Sequence, residues 1–78
     1  MLSKRAINPL IGECIRFWRE KRGLTLQELD RISGVHWNSI ARIERGEKPD
    51  PRISTVCAIA NALGLSLDKL LNPPKERG

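Results

Sequence analysis

Asn38 and Arg42 stand four residues apart in the stretch TLQELDRISGVHWNSIARIERG, residues 25–46. An asparagine amide can pair with the N6/N7 edge of adenine, and an arginine guanidinium with O6/N7 of guanine. On a helix, residues four apart share a face. Ser39, beside Asn38, is short enough to touch a base or a phosphate. The bland alternative for Asn38 and Arg42 is an ordinary polar helix face. His36 is the only histidine and has no cysteine or carboxylate at metal-ligand or triad spacing. It reads as a helix-start or phosphate-facing residue, and no Gly-rich phosphate loop accompanies it. No enzyme, metal site or cofactor is expected.

Two short helices with a tight turn must position these side chains. Thr25 followed by Glu28 forms a capping box: the Thr hydroxyl accepts from the third helical N–H, and the Glu carboxylate accepts from the N–H of Thr25. Leu29 and Ile32 recur at helical spacing, and Gly34 ends the helix where a left-handed residue is wanted. Val35 plugs the turn. The second helix starts near His36, buries Ile40 and Ile43, and stops at Gly46. Its outward face is then His36, Trp37, Asn38, Ala41, Arg42 and Arg45. Two short helices around a glycine turn follow the helix-turn-helix plan, whose second helix is sized for the DNA major groove.

The 78 residues suffice for one domain, and a chain this short relies on well-capped helices. Fourteen Lys and Arg against nine Asp and Glu leave a net charge of +5, which favours polyanions as partners but fits an ordinary basic surface as well. Cys14 and Cys57 fall in helical patterns without metal-ligand spacing, so core thiols are favoured over a disulfide. No apolar run approaches the ~20 residues that cross a bilayer, and MLSKR is no signal peptide. A cytoplasmic, nucleoid-associated protein with no membrane partner is expected.

The remaining elements frame that pair. Residues 1–7 read as a flexible basic lead-in, and Asn8-Pro9 as a cap-plus-proline start for a helix that reaches Arg22 and closes at Gly23. Ile11, Ile15 and Trp18 form its apolar stripe; Phe17 lies off it, either packed on the C-terminal helix or exposed. Asp50-Pro51 repeats the start signal, and Ile53, Val56, Cys57, Ala60 and Leu63 follow at helical steps to Gly64. Ser66 caps a last short helix in which Leu67, Leu70 and Leu71 close the core. Residues 73–78 form a polar tail. The fold class is all-α with five short helices over residues 8–72.

With those elements placed, IGECIRFWREKRGLT, ELDRISGV, SIARIERG and PRISTVCAIANALGLSLDKLL together resemble the phage-repressor (Cro/XRE-type) helix-turn-helix family, from about Ile11 to Leu71. The resemblance implies a lambda-repressor-like five-helix domain whose second and third helices dock on double-stranded DNA. It further implies a weak homodimer on a palindromic operator, with residues 65–74 as the dimer surface. It implies a structural ion pair between Arg19 and Glu44, against the alternative of two solvated charges; Gly34 and Gly46 are structural as the helix ends read above.

The family's base-reading positions fall on Trp37, Asn38 and Arg42, with Ser39 beside them. Trp37 fits a thymine methyl or a donor to a phosphate; it equally fits a protein-binding surface, or folds back over helix 2. Phosphate contacts are expected from Thr25, Gln27 and His36 around the helix starts, and from Arg45, Lys48 and Arg52 beyond helix 3, with Glu47 and Asp50 weakening that second cluster. The chain departs from the family pattern at two places. Leu26 stands where a Gln often reaches the DNA, and Gln27 is shifted by one. Asp30 replaces a small Ala at the helix crossing; it must be bonded to Ser39 or the first N–H groups of helix 3, or else the crossing opens and wets it. The function expected is a small prokaryotic or phage transcriptional regulator, most simply a repressor. The alternative is an antitoxin or adaptor that uses Trp37 and Leu26 on a protein partner.

Overall fold

The computed structural model describes the backbone of residues 2–48 and 50–74, and side chains from residue 11 onward within those ranges. Five helices follow in order: α1 (Leu2–Lys21), α2 (Leu26–Ser33), α3 (Trp37–Glu44), α4 (Ile53–Leu63) and α5 (Leu67–Leu71). No strand occurs among the described residues. Of the expected lead-in and tail, the backbone of residues 1 and 75–78 lies outside what is described. The backbone of α1 is helical from Leu2, ahead of the Asn8-Pro9 pair expected to open it. Pro9 lacks an N–H and so forfeits one helical bond, but a helix can continue upstream of it at that cost.

Local signals close the helices. Thr25 Oγ1 accepts from Glu28 N at 3.0 Å and Glu28 Oε1 accepts from Thr25 N at 2.8 Å, the complete capping box. Gly34 ends α2 at φ 80°, and its N–H donates to Asp30 O at 2.8 Å. Ser66 caps α5 by accepting from Lys69 N. Asp50-Pro51 does not open α4: the chain stays extended through Arg52, which stands at the cap position without a side-chain bond. A proline's φ suits extended backbone as well as a first helical turn, and here Pro51 lines a pocket together with Val35 and Ile43 instead.

The core is one cluster: Ile15 and Trp18 from α1, Leu29 from α2, Ile40 and Ile43 from α3, Val56, Ile59, Ala60 and Leu63 from α4, and Leu70 from α5. Helix α3 packs on α1 and on α2, while α4 and α5 pack on each other and on α1. Trp18 Nε1 donates to Leu70 O at 3.2 Å, so the indole's polar atom is satisfied within the core. Phe17 is half-buried, edge-on to Trp18 with ring centroids 5.1 Å apart, and packs against the core cluster. The Arg22 guanidinium lies over Trp18 and donates twice to Leu63 O, satisfying a carbonyl at the end of α4. Both cysteines are free, Cys14 buried and Cys57 half-buried.

Several expected faces differ at their edges. Ile53 is 67% exposed, because the buried stripe of α4 centres on Val56, Ile59, Ala60 and Leu63 and leaves Ile53 and Cys57 at its edge. Ile32 and Leu71, each in the last turn of a short helix, are likewise exposed. Ala41 is buried and not outward-facing. Neighbours flank α3 on two sides, so its buried arc is wider than the Ile40–Ile43 stripe.

Candidate nucleic-acid interface

Three side-chain devices fix the direction in which α3 points. The first is Arg19, whose Nε and Nη2 donate to Glu44 Oε2 and Oε1 at 2.7 and 3.0 Å while Nη1 donates to Leu24 O at 2.8 Å. The Arg19 and Glu44 side chains are only 13% and 6% exposed. The ion pair is therefore present and largely buried, and its hydrogen bond with Glu44 raises the Arg19 pKa further.

The second device is Asp30. Its Oδ2 accepts from Trp37 N at 2.8 Å, so the carboxylate caps the first N–H of α3. The third is His36, whose Nδ1 accepts from Asn38 N at 3.1 Å. That bond requires the neutral Nε2–H tautomer and leaves Nε2–H as an outward donor.

A backbone contact sets the depth at which α3 sits. Gly12, buried on α1, faces Ile43 and Glu44. A Cβ built there overlaps the carbonyl oxygen of Ile43 and lies 3.1 Å from Glu44 Cα and O. Only glycine lets the two helices approach this closely. The clue in the sequence is a glycine inside a helical pattern, which costs ~1 kcal/mol against alanine and so asks for a packing reason.

The outer face of α3 carries Trp37, Asn38, Ser39 and Arg42, all exposed. Trp37 stacks on the His36 imidazole with centroids 5.8 Å apart and remains 39% exposed. Ser39 shares a pocket of ≈ 300 Å³ with Lys48, Arg52, Thr55, Val35, Ile43 and Pro51. Two of the expected phosphate ligands thus meet one expected reader. Arg45 donates through Nε and Nη2 to Glu47 at 2.9 and 3.3 Å, and Arg42 Nε stands 3.8 Å from the same carboxylate. The Arg45 hydrogen bond first, then the charges of Arg45 and Arg42, hold Glu47 below the usual carboxylate range.

Thr25 and Gln27 sit exposed at the start of α2, and among the described residues no hydrogen bond or ion pair joins them to α3. The capping box already engages the N–H groups of Thr25 and Glu28. It also places the Glu28 carboxylate at this helix start, where any incoming anion must share the site with it. No group of three or more metal-binding side chains comes together among the described residues.

A helix-turn-helix family model matches residues 15–70, the span that contains every element of this face. The chain belongs to the XRE-type helix-turn-helix family. This membership assigns the chain to a non-enzymatic class. The chain is 38% identical over 60 residues to the HTH-type transcriptional repressor RghR of Bacillus subtilis (strain 168), an alignment covering 77% of this chain and 44% of that protein. It is 35% identical over 65 residues to Control protein C.SmaI of Serratia marcescens, covering 83% and 76%. With the HTH-type transcriptional regulator SinR of Bacillus licheniformis the identity is 31% over 67 residues, covering 86% and 60%. The chain spans less than half the length of the first of these relatives. No solved structure matches it. As an XRE-type domain it has the family's two-helix unit intact, and no helix among the described residues is long and apolar enough to cross a membrane.

Proposed function

We propose that the chain binds double-stranded DNA sequence-specifically and regulates transcription, most simply as a repressor, with α3 in the major groove. The observation that carries this reading is the division of α3. Ile40, Ala41 and Ile43 are buried and the Glu44 carboxylate is clamped by Arg19, while Asn38 and Arg42 remain exposed on the opposite side. Those are the two residue types whose donors and acceptors match adenine and guanine edges. Trp37 and Ser39 flank them, and His36, Thr25, Gln27, Arg45, Lys48 and Arg52 surround the helix as phosphate contacts that fix register without choosing sequence. The names of relatives, a transcriptional repressor and a control protein, support the same reading. A weak homodimer would set two α3 helices ~34–36 Å apart on a palindromic operator.

The test is a gel shift on the DNA upstream of the chain's own gene. Asn38→Ala and Arg42→Ala are each expected to cost ~1–3 kcal/mol of base discrimination while salt-dependent binding to any duplex persists. Sequence preference that survives both substitutions would exclude α3 as the reader. A second reading, a protein-docking face on the same two helices, is favoured by the exposure of Ile32 and Trp37. It predicts that a Trp37→Ala variant retains its duplex preference and loses a protein partner instead.

A further inference from the structure

Glu47 lies in the loop just beyond α3, and its two carboxylate oxygens face two cations of the proposed DNA surface. Arg45 holds it bidentately at 2.9 and 3.3 Å, whereas Arg42 approaches through a single atom at 3.8 Å. All three side chains are about half exposed, at 57%, 51% and 50% for Arg45, Arg42 and Glu47. Pairs this wet contribute little to folding, so stability gives little reason for the arrangement. A guanidinium engaged by both oxygens of a carboxylate is using the same fork of donors that would clasp a phosphate. Lys48 and Arg52, which follow on the same loop, have no ion pair among the described residues. The pairing thus falls selectively on Arg45.

We propose that Glu47 is an internal competitor for backbone phosphate, occupying Arg45 in the free protein and so lowering affinity for duplexes of arbitrary sequence. The proposal rests on the DNA-binding reading above. Affinity that ignores sequence scales with the number of phosphates neutralised. Withholding Arg45 removes one phosphate ligand, while Arg42, only loosely approached, keeps its remaining donors for a base edge. Glu47 then tunes affinity without touching a base. It reduces the electrostatic component that every duplex shares and leaves the component that depends on base identity.

Glu47→Gln keeps the shape of the side chain and removes its charge. The probe is a random-sequence duplex, titrated by fluorescence anisotropy with the parent and the variant at about 50 and about 200 mM salt. One regained phosphate contact steepens the log K against log salt slope by ~0.9, so the variant's advantage over the parent should be ~3.5-fold larger at the lower salt. In an Arg45→Ala background the same Glu47→Gln substitution should bring no gain, since the ligand being released is gone. Equal slopes for parent and variant overturn the proposal while leaving DNA binding intact. So does a gain that persists without Arg45, which would mark a general charge effect. If neither protein binds duplex at the lower salt, the DNA reading itself fails and the proposal falls with it. Unchanged thermal melts confirm that the variants remain folded.

Discussion

Arg19→Ala removes three donors at once, two to Glu44 at 2.7 and 3.0 Å and one to Leu24 O at 2.8 Å. It leaves the Glu44 carboxylate, 6% exposed, without its cation. Breaking a buried pair by removing one partner costs ~3–5 kcal/mol, whereas an exposed pair is worth ~0–1 kcal/mol. Glu44 sits near the buried limit, and the residual exposure at the arginine end lets some water reach the stranded charge. The expected loss is therefore ~2–4 kcal/mol, a large part of a small domain's stability. In a domain of this size each kcal/mol moves the midpoint by several degrees, so the variant should melt ~10–25 °C below the parent in far-ultraviolet circular dichroism. The paired substitution Arg19→Met with Glu44→Leu should cost less than Arg19→Ala alone, because it strands no charge. A single variant that melts within a few degrees of the parent, or a double variant less stable than the single, would refute the claim that this pair locks α3 to α1.

Gly12→Ala should destabilise the domain by up to ~2 kcal/mol: the new methyl meets backbone and overpacking costs ~1–3 kcal/mol, while alanine's helix preference returns ~1 kcal/mol. It should also weaken duplex binding before it unfolds the protein, by moving α3; a stabilised variant would mean the crossing is looser than described. Burial first, then the neighbouring Glu13 charge, pushes the Cys14 thiol up from its ordinary pKa, so at neutral pH less of it is the reactive thiolate. An aromatic disulfide reagent should therefore modify half-buried Cys57 in the native protein and Cys14 only on unfolding; two equally fast thiols would contradict that packing.

Features that depend on residues within one turn of each other were legible in the sequence. The capping box of Thr25 and Glu28, the left-handed close at Gly34 and the Ser66 cap each arise from bonds spanning a few residues, so residue type and spacing determine them. The helical period likewise located Ile15, Trp18, Leu29, Ile40, Ile43 and Leu70 in the core. The Arg19–Glu44 pair was visible only through the family resemblance, because nothing local brings together residues 25 apart.

What the tertiary structure alone decided concerns how many neighbours a helix has and how closely they approach. Ala41 is buried because α1 and α2 both pack on α3; Ile32 and Ile53 are exposed at the ends of their own helices, off the buried stripe. Gly12 gains its purpose only from the Ile43 backbone across the crossing. Asp30 selects Trp37 N over Ser39 only once α2 and α3 are docked. Periodicity specifies a direction around a helix axis, whereas the width of the buried arc and the closeness of an approach depend on the helices packed against it.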